Sequence, residues 1–255
     1  MFFCLVVGDL RTVHNDTQII QYIDDTSLCI PLFKGAMNCH VIHEHSNILK
    51  WANTNGFVVN TKKCQSLFVR KSCESSDIEL KDAPTVNKIK FLGIYLNSKL
   101  TFSTHIRHVC QLSARRFYAL RILKPLMDRD SLVSVYHGSV RSILEYGSPA
   151  FGKLPTNLEK MLVKIQNRCH RLICSVPHSS ECPCTRFPLL STRRSHIAAR
   201  LLLSAVANGN HILHGIVPAR SNRSSRLIQP QCRTARFRNS FVPYTTILVN
   251  GTSDC

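Results

Sequence analysis

The stretch IIQYIDDTSLCI, residues 19–30, sets two adjacent carboxylates, Asp24 and Asp25, between two apolar runs. Residues 17–22 and 26–31 alternate in polarity, which predicts a β-hairpin with the aspartates at its tip. Two readings compete. Asp, Thr and Ser are turn residues, so the tip can be a plain solvated turn. Paired carboxylates held by rigid strands are also hard oxygen donors of the kind that bind Mg²⁺. The residues around the hairpin have to choose between them.

Outward from the hairpin, CHVIHEHSNILKWANTNG places Val41, Ile42, His45, Ile48, Leu49 and Ala52 at helical spacing, with Gly56 as a stop. Strand signals follow in FVVN, CQSLFVR and VNKIKFLGIYL. A small antiparallel sheet backed by a helix accommodates them. From Phe102 the period changes. Phe102, Ile106, Val109, Phe117 and Leu120 form one helical stripe, and Leu132, Val135, Tyr136, Val140, Ile143 and Leu144 a second, closed by Gly147. A third helix opens on TNLE, where Thr156 and Glu159 form a capping-box pattern. Its apolar side is Leu158, Leu162, Ile165, Cys169 and Leu172, and a cationic row, Lys160, Lys164, Arg168 and Arg171, runs along another side. A fourth helix is expected over 193–207, ending at Gly209. The expected class is α+β: residues 1–100 a small sheet domain, 101–216 a helical domain, and 217–255 a basic, loosely ordered tail.

Composition narrows the partners. The 255 residues carry 33 Lys and Arg against 15 Asp and Glu, a net charge of +18. Eighteen basic and twelve acidic residues precede position 151; fifteen and three follow, so the excess rises from six to twelve. Such a field attracts polyanions, nucleic acid above all. Twelve cysteines lie scattered with no regular framework, which predicts a reducing compartment. The opening MFFCLVVG is too short and lacks the basic flank of a signal, and no stretch reaches the ~20 apolar residues a bilayer helix needs. The expectation is an intracellular protein, nuclear or cytoplasmic, with no membrane partner.

The blocks QYIDDTSLCI, ILKWANTNGFVVNTKKCQSLFVR, KIKFLGIYLNSKLTFSTHI, LVSVYHGSVRSILEYGSPAFG and LEKMLVKIQNRCHRLIC closely resemble, in this order and spacing, the reverse transcriptase of non-LTR (LINE-type) retrotransposons. PQCRTARFRNSFVPY resembles the end of such reading frames, so the likeness runs over nearly the whole chain. The resemblance implies a partial polymerase palm followed by a helical thumb. It makes Asp24 a ligand of catalytic Mg²⁺, with Asp25 beside it shaping the site, and puts Tyr22 near the nucleotide and the primer end. Lys62 or Lys63, the latter preferred, would assist the leaving pyrophosphate. Phe91, Leu92 and Gly93, inside KFLGI, would belong to the primer grip. Lys160, Lys164, Arg168 and Arg171 would follow an RNA template paired with a DNA primer, and no small molecule beyond the deoxynucleotide is implied. Arg193, Arg194, Arg233, Arg236 and Arg238 would add phosphate contacts.

The departure from the family is that its earlier aspartate strand and its Pro-Gln-Gly-type segment are not found in this sequence. The expectation is therefore a truncated, inactive polymerase, with a sequence-indifferent nucleic-acid binder as the alternative. Zinc is not expected: Cys169, His170, Cys174, His178, Cys182 and Cys184 crowd together, but their spacing matches no common ligand pattern and Cys169 sits on an apolar stripe. His105 and His108 are expected at the surface, and Trp51 in a core.

Overall fold

A computed structural model describes residues 7–32, 39–69, 80–176, 187–224 and 226–252. The class is α+β. The chain divides into two compact units, one of residues 1–89 with 97–100 and one of residues 90–96 with 101–255.

In the first unit, β1 (Gln18–Tyr22) and β2 (Asp25–Cys29) pair antiparallel, Gln18 opposite Cys29 through Tyr22 opposite Asp25. That register leaves Ile23 and Asp24 as a two-residue turn. The helix α1 (Cys39–Thr54) forms on the expected period, but its buried face is Val41, Glu44 and Ala52, while Ile42 is exposed. Glu44 is fully buried because it accepts the backbone N–H groups of Val13 (3.1 Å) and His14 (2.7 Å), two donors that no strand satisfies. Trp51 is only half-buried; its ring stacks on Phe57 and its indole N–H donates to Asp9 (3.1 Å).

The strands expected in FVVN and in the described part of CQSLFVR do not form. Val58 is 96% exposed, a short 3-10 turn spans Thr61–Lys63, and a lone bridge joins Ser66 to Thr85. Apolar alternation alone makes no strand without a partner edge. Among the described residues there are, in place of one sheet, two separate two-stranded ones, the second formed by β3 (Lys88–Phe91) and β4 (Ile94–Asn97).

The helical unit holds the main core. The helix α2 (Ser103–Leu123) buries Ile106, Val109 and Leu120. Next, α3 (Arg129–Val135) passes through a π-helical turn, Tyr136–Arg141, into α4 (Ser142–Glu145). Asp128 caps α3 by accepting from the N–H groups of Asp130 and Ser131. The short α5 (Ser148–Phe151) leads to α6 (Thr156–Cys174) and α7 (Leu190–Ala207). Leu162, Tyr136, Val140, Leu144, Cys169 and Leu190 are at most 1% exposed and form the centre.

Three expectations fail here. The capping box does not close: the N-cap is Pro155, no side chain caps α6, and Glu159 instead pairs with Arg194. His105 is buried, 1% exposed against Phe151, with neither ring nitrogen partnered among the described residues. The 217–255 segment is not loosely ordered throughout. It contains α8 (Ala235–Arg238) and α9 (Phe241–Thr252), and α9 packs on α7. Leu202, Leu227 and Val249 form a second core cluster there. Asn250 locks the chain by donating to Leu227 O (2.9 Å) and accepting from Leu227 N–H (3.1 Å). Gly152 is required at its position: its φ is +53° and a Cβ would collide with Asn239 O, where the tail crosses.

Candidate nucleic-acid interface and carboxylate hairpin

The hairpin tip is strained in a defined way. Ile23, the first turn residue, has φ +55° while Asp24 does not have positive φ. This is the backbone pattern of a II′ turn, which ordinarily takes glycine first, and a β-branched residue there is an outlier. Strain of this kind is tolerated where the surroundings hold it, most often at functional sites. Tyr22 and Ile23 are 59% and 57% exposed, and Asp24 and Asp25 are also exposed. Both carboxylates are open to a ligand. Among the described residues no group of three or more His, Cys, Asp or Glu converges to hold a metal ion. Two hard oxygen donors suit Mg²⁺ as part of a shell that keeps waters and shares phosphates. Lys62 and Lys63 are exposed on the separate 3-10 turn, a different element from the hairpin.

In the helical unit, Phe91 ends β3, and Leu92 (φ +44°) and Gly93 (φ +84°) form the turn to β4, both in the left-handed region of a I′ turn. The turn is fastened by Tyr146, whose hydroxyl donates to Leu92 O (2.7 Å). A Cβ on Gly93 would sit 3.2 Å from the same ring, tighter than ordinary contact. Tyr146 went unmarked in the sequence because its partner lies fifty-four residues away.

Lys160, Lys164, Arg168 and Arg171 come together. With Lys124 they line an open groove of about 950 Å³ between α2 and α6. The first three are exposed and Arg171 half-buried. Among the described residues five cations line this groove and no carboxylate does. Phe117 forms part of the wall, with the Arg168 guanidinium 4.6 Å above its ring. That stacking holds the cation without neutralising it. Lys124 joins the row only through the packing of α2 against α6, so periodicity within α6 could not reveal it.

The other expected arginines divide. Arg193 donates to both oxygens of Glu145 (2.5 and 3.1 Å), and that carboxylate raises its already high pKa. Arg194 is buried. Arg233, Arg236 and Arg238 lie exposed near α8. Cys169 is fully buried in the helical core, its thiol pushed up to about 12 by desolvation. His170 stacks on Phe187 (3.9 Å), and burial, then His137, pushes it down to about 4. His178, Cys182 and Cys184 lie outside the described residues.

Comparison with models of protein families, with curated proteins and with solved structures finds no match in any of the three. The site is read from its own residues.

Proposed function

We propose that this chain is part of a reverse transcriptase of the non-LTR retrotransposon type, and that its helical unit binds the RNA template–DNA primer duplex. The observation that carries the reading is the groove lined, among the described residues, by five cations and no carboxylate. Lys160, Lys164 and Arg168 recur every fourth residue, so they present an inclined cationic ridge along α6 that suits a run of phosphates. Such contacts fix affinity and register and carry no sequence preference.

The ordered blocks and the strained Tyr-Ile-Asp-Asp turn support the polymerase half of the reading. Asp24 and Asp25 are the residues that would hold Mg²⁺, which when bound supplies activation of a primer hydroxyl and charge stabilisation at the departing pyrophosphate. Tyr22 sits across from Asp25 in the ladder, where its ring can bound the nucleotide. The Leu92–Gly93 turn would hold the primer end, its backbone steadied by Tyr146. One adjacent carboxylate pair is less than a two-metal clamp needs, so the 255-residue chain alone is expected not to extend a primer.

Two assays test this. Binding to an RNA–DNA duplex should weaken steeply with salt, and replacing Lys160, Lys164, Arg168 and Arg171 by alanine should lower the salt slope by about three to four. Binding that ignores salt, or that the fourfold variant leaves unchanged, removes the interface. Primer extension by the 255-residue chain that Asp24→Asn abolishes would overturn the expected inactivity while strengthening the polymerase reading. Without any role for the hairpin, the same groove supports a sequence-indifferent nucleic-acid binder, and the salt assay alone then describes the function.

A further inference from the structure

The outer face of α2 belongs neither to the core nor to the groove. The helix has 21 residues, among them Arg107, Arg115, Arg116 and Arg121 and no aspartate or glutamate. Arg107, Arg115, Tyr118, Arg121 and Ile122 are exposed, and none of them lines the groove. On a helix, Tyr118 has Arg115 and Arg121 as its neighbours at i−3 and i+3 and Ile122 at i+4. The result is one strip, an aromatic ring with a guanidinium about one turn away on either side.

An exposed tyrosine alone is ordinary; its surroundings are not. Tyr118 is 63% and Ile122 55% exposed. Arg107, Arg115 and Arg121 have no ion pair among the described residues, so nothing there neutralises them. The Tyr118 ring makes no aromatic or cation–π contact among the described residues, in contrast to Phe117 beside it, which carries the Arg168 guanidinium. The strip also adjoins a second cationic surface, because Phe117 of α2 and Lys124 just beyond it line the groove.

We propose that this strip binds an unpaired polynucleotide strand, with one base stacked on Tyr118 and the flanking phosphates held by Arg115 and Arg121. A base offers its face to a side chain only outside a duplex; a paired strand would show this convex helix face sugar and phosphate alone. Aromatic rings interleaved with cations are what unpaired strands need, whereas the groove, with Phe117 covered, suits a duplex backbone. An acidic protein segment is the competing occupant. Continuity with the groove favours nucleic acid, and the inference rests on the reading of the groove for that continuity alone.

The test is fluorescence-anisotropy titration of the full chain with a labelled single strand, as RNA and as DNA. A strand of equal length made of abasic units and a blunt RNA–DNA duplex are titrated beside it. Tyr118→Leu keeps apolar bulk and removes the ring; it should weaken single-strand binding about tenfold, the stacking of one base, and leave duplex binding unchanged. Tyr118→Phe should bind as the unsubstituted chain does. The abasic strand should bind more weakly from the start and not respond to Tyr118→Leu. Arg115→Gln with Arg121→Gln should lower the single-strand salt slope by about one to one and a half. The three substituted positions are exposed, so the variants retain the core. The fourfold alanine variant of the groove should lose duplex binding while its single-strand binding still responds to Tyr118→Leu, which separates failure of the groove reading from failure of this one. Tighter binding of RNA or of DNA identifies the strand held, and equal binding identifies a surface that takes either. No single-strand binding, which would leave the strip to a protein partner, overturns the proposal. So does a Tyr118→Leu chain that binds unpaired strands as before, or that loses duplex and single strand alike.

Discussion

The two units are held together by different means. The helical unit buries large side chains, Ile106, Leu120, Tyr136, Leu144, Leu162 and Leu202, behind an amphipathic set of helices. The hairpin unit buries Val7, Leu10, Val41, Ala52 and Ala83, a smaller and smaller-chained set, and relies on Glu44 to satisfy loop amides. One unit rests on apolar area. The other depends on a few polar bonds, and its strand pair is largely solvated: β1 has one half-buried residue, Ile19. An isolated two-stranded hairpin is marginal in water. The carboxylates therefore sit on the less stable of the two scaffolds, and the cations on the sturdier one.

The contrast can be broken at four points. Leu162→Ala, in the centre of α6, should cost the helical unit about 4 kcal/mol in urea unfolding, because a fully buried leucine leaves a cavity as well as lost transfer energy. A loss below about 1 kcal/mol would mean that the core is not where the contrast puts it.

Glu44→Ala should cost the hairpin unit about 3 kcal/mol, since two amides lose their acceptor in a buried place. Hydrogen exchange at the Val13 and His14 amides would quicken first; unchanged exchange there would deny Glu44 its role.

Acid should act on the helical unit. The folded state lowers the pKa of His170 from 6.5 to about 4, and burial lowers those of His105 and His137 as well. The unfolded imidazole gains its proton below about 6.5 while the folded one resists until about 4, so stability is full above that window and falls through it. His170 alone accounts for about 3 kcal/mol at most. His170→Leu should flatten the dependence of the melting temperature on pH between those limits, and an unchanged slope would count against the buried neutral imidazole.

The smallest effect is expected at the tip. Ile23→Gly should stabilise the hairpin by about 1 kcal/mol by releasing a β-branched residue from positive φ. No gain, followed by nuclear magnetic resonance of the β1–β2 amides, would show that the turn is not strained.

Much of this was legible locally. The stripe through Leu158, Leu162, Ile165 and Cys169 marks α6 because residues three and four apart share a face. The YIDD turn lies between alternating runs, and both aspartates fall at the tip as the alternation requires. His105 could have been found: with Val109 and Ser113 it repeats at every fourth position, the same period as the buried stripe. The helix α9 could not be found by propensity. FVPYTTILVN is β-branched and holds a proline, yet it is helical because Val249, Thr245 and Thr246 are buried; Thr245 and Thr246 donate their hydroxyls to Phe241 O (2.6 Å) and Val242 O (2.8 Å).

By itself the sequence determined the α+β class, the helix stripes, the carboxylate hairpin turn and the cationic row, because these follow from contacts within a few residues. Tertiary structure decided that the strands form two separate pairs, that Lys124 joins the row, and that Glu159 serves Arg194 rather than its own helix cap. Each of those depends on which faces come together across tens of residues, and there burial and unpaired hydrogen-bonding groups outweigh local preference.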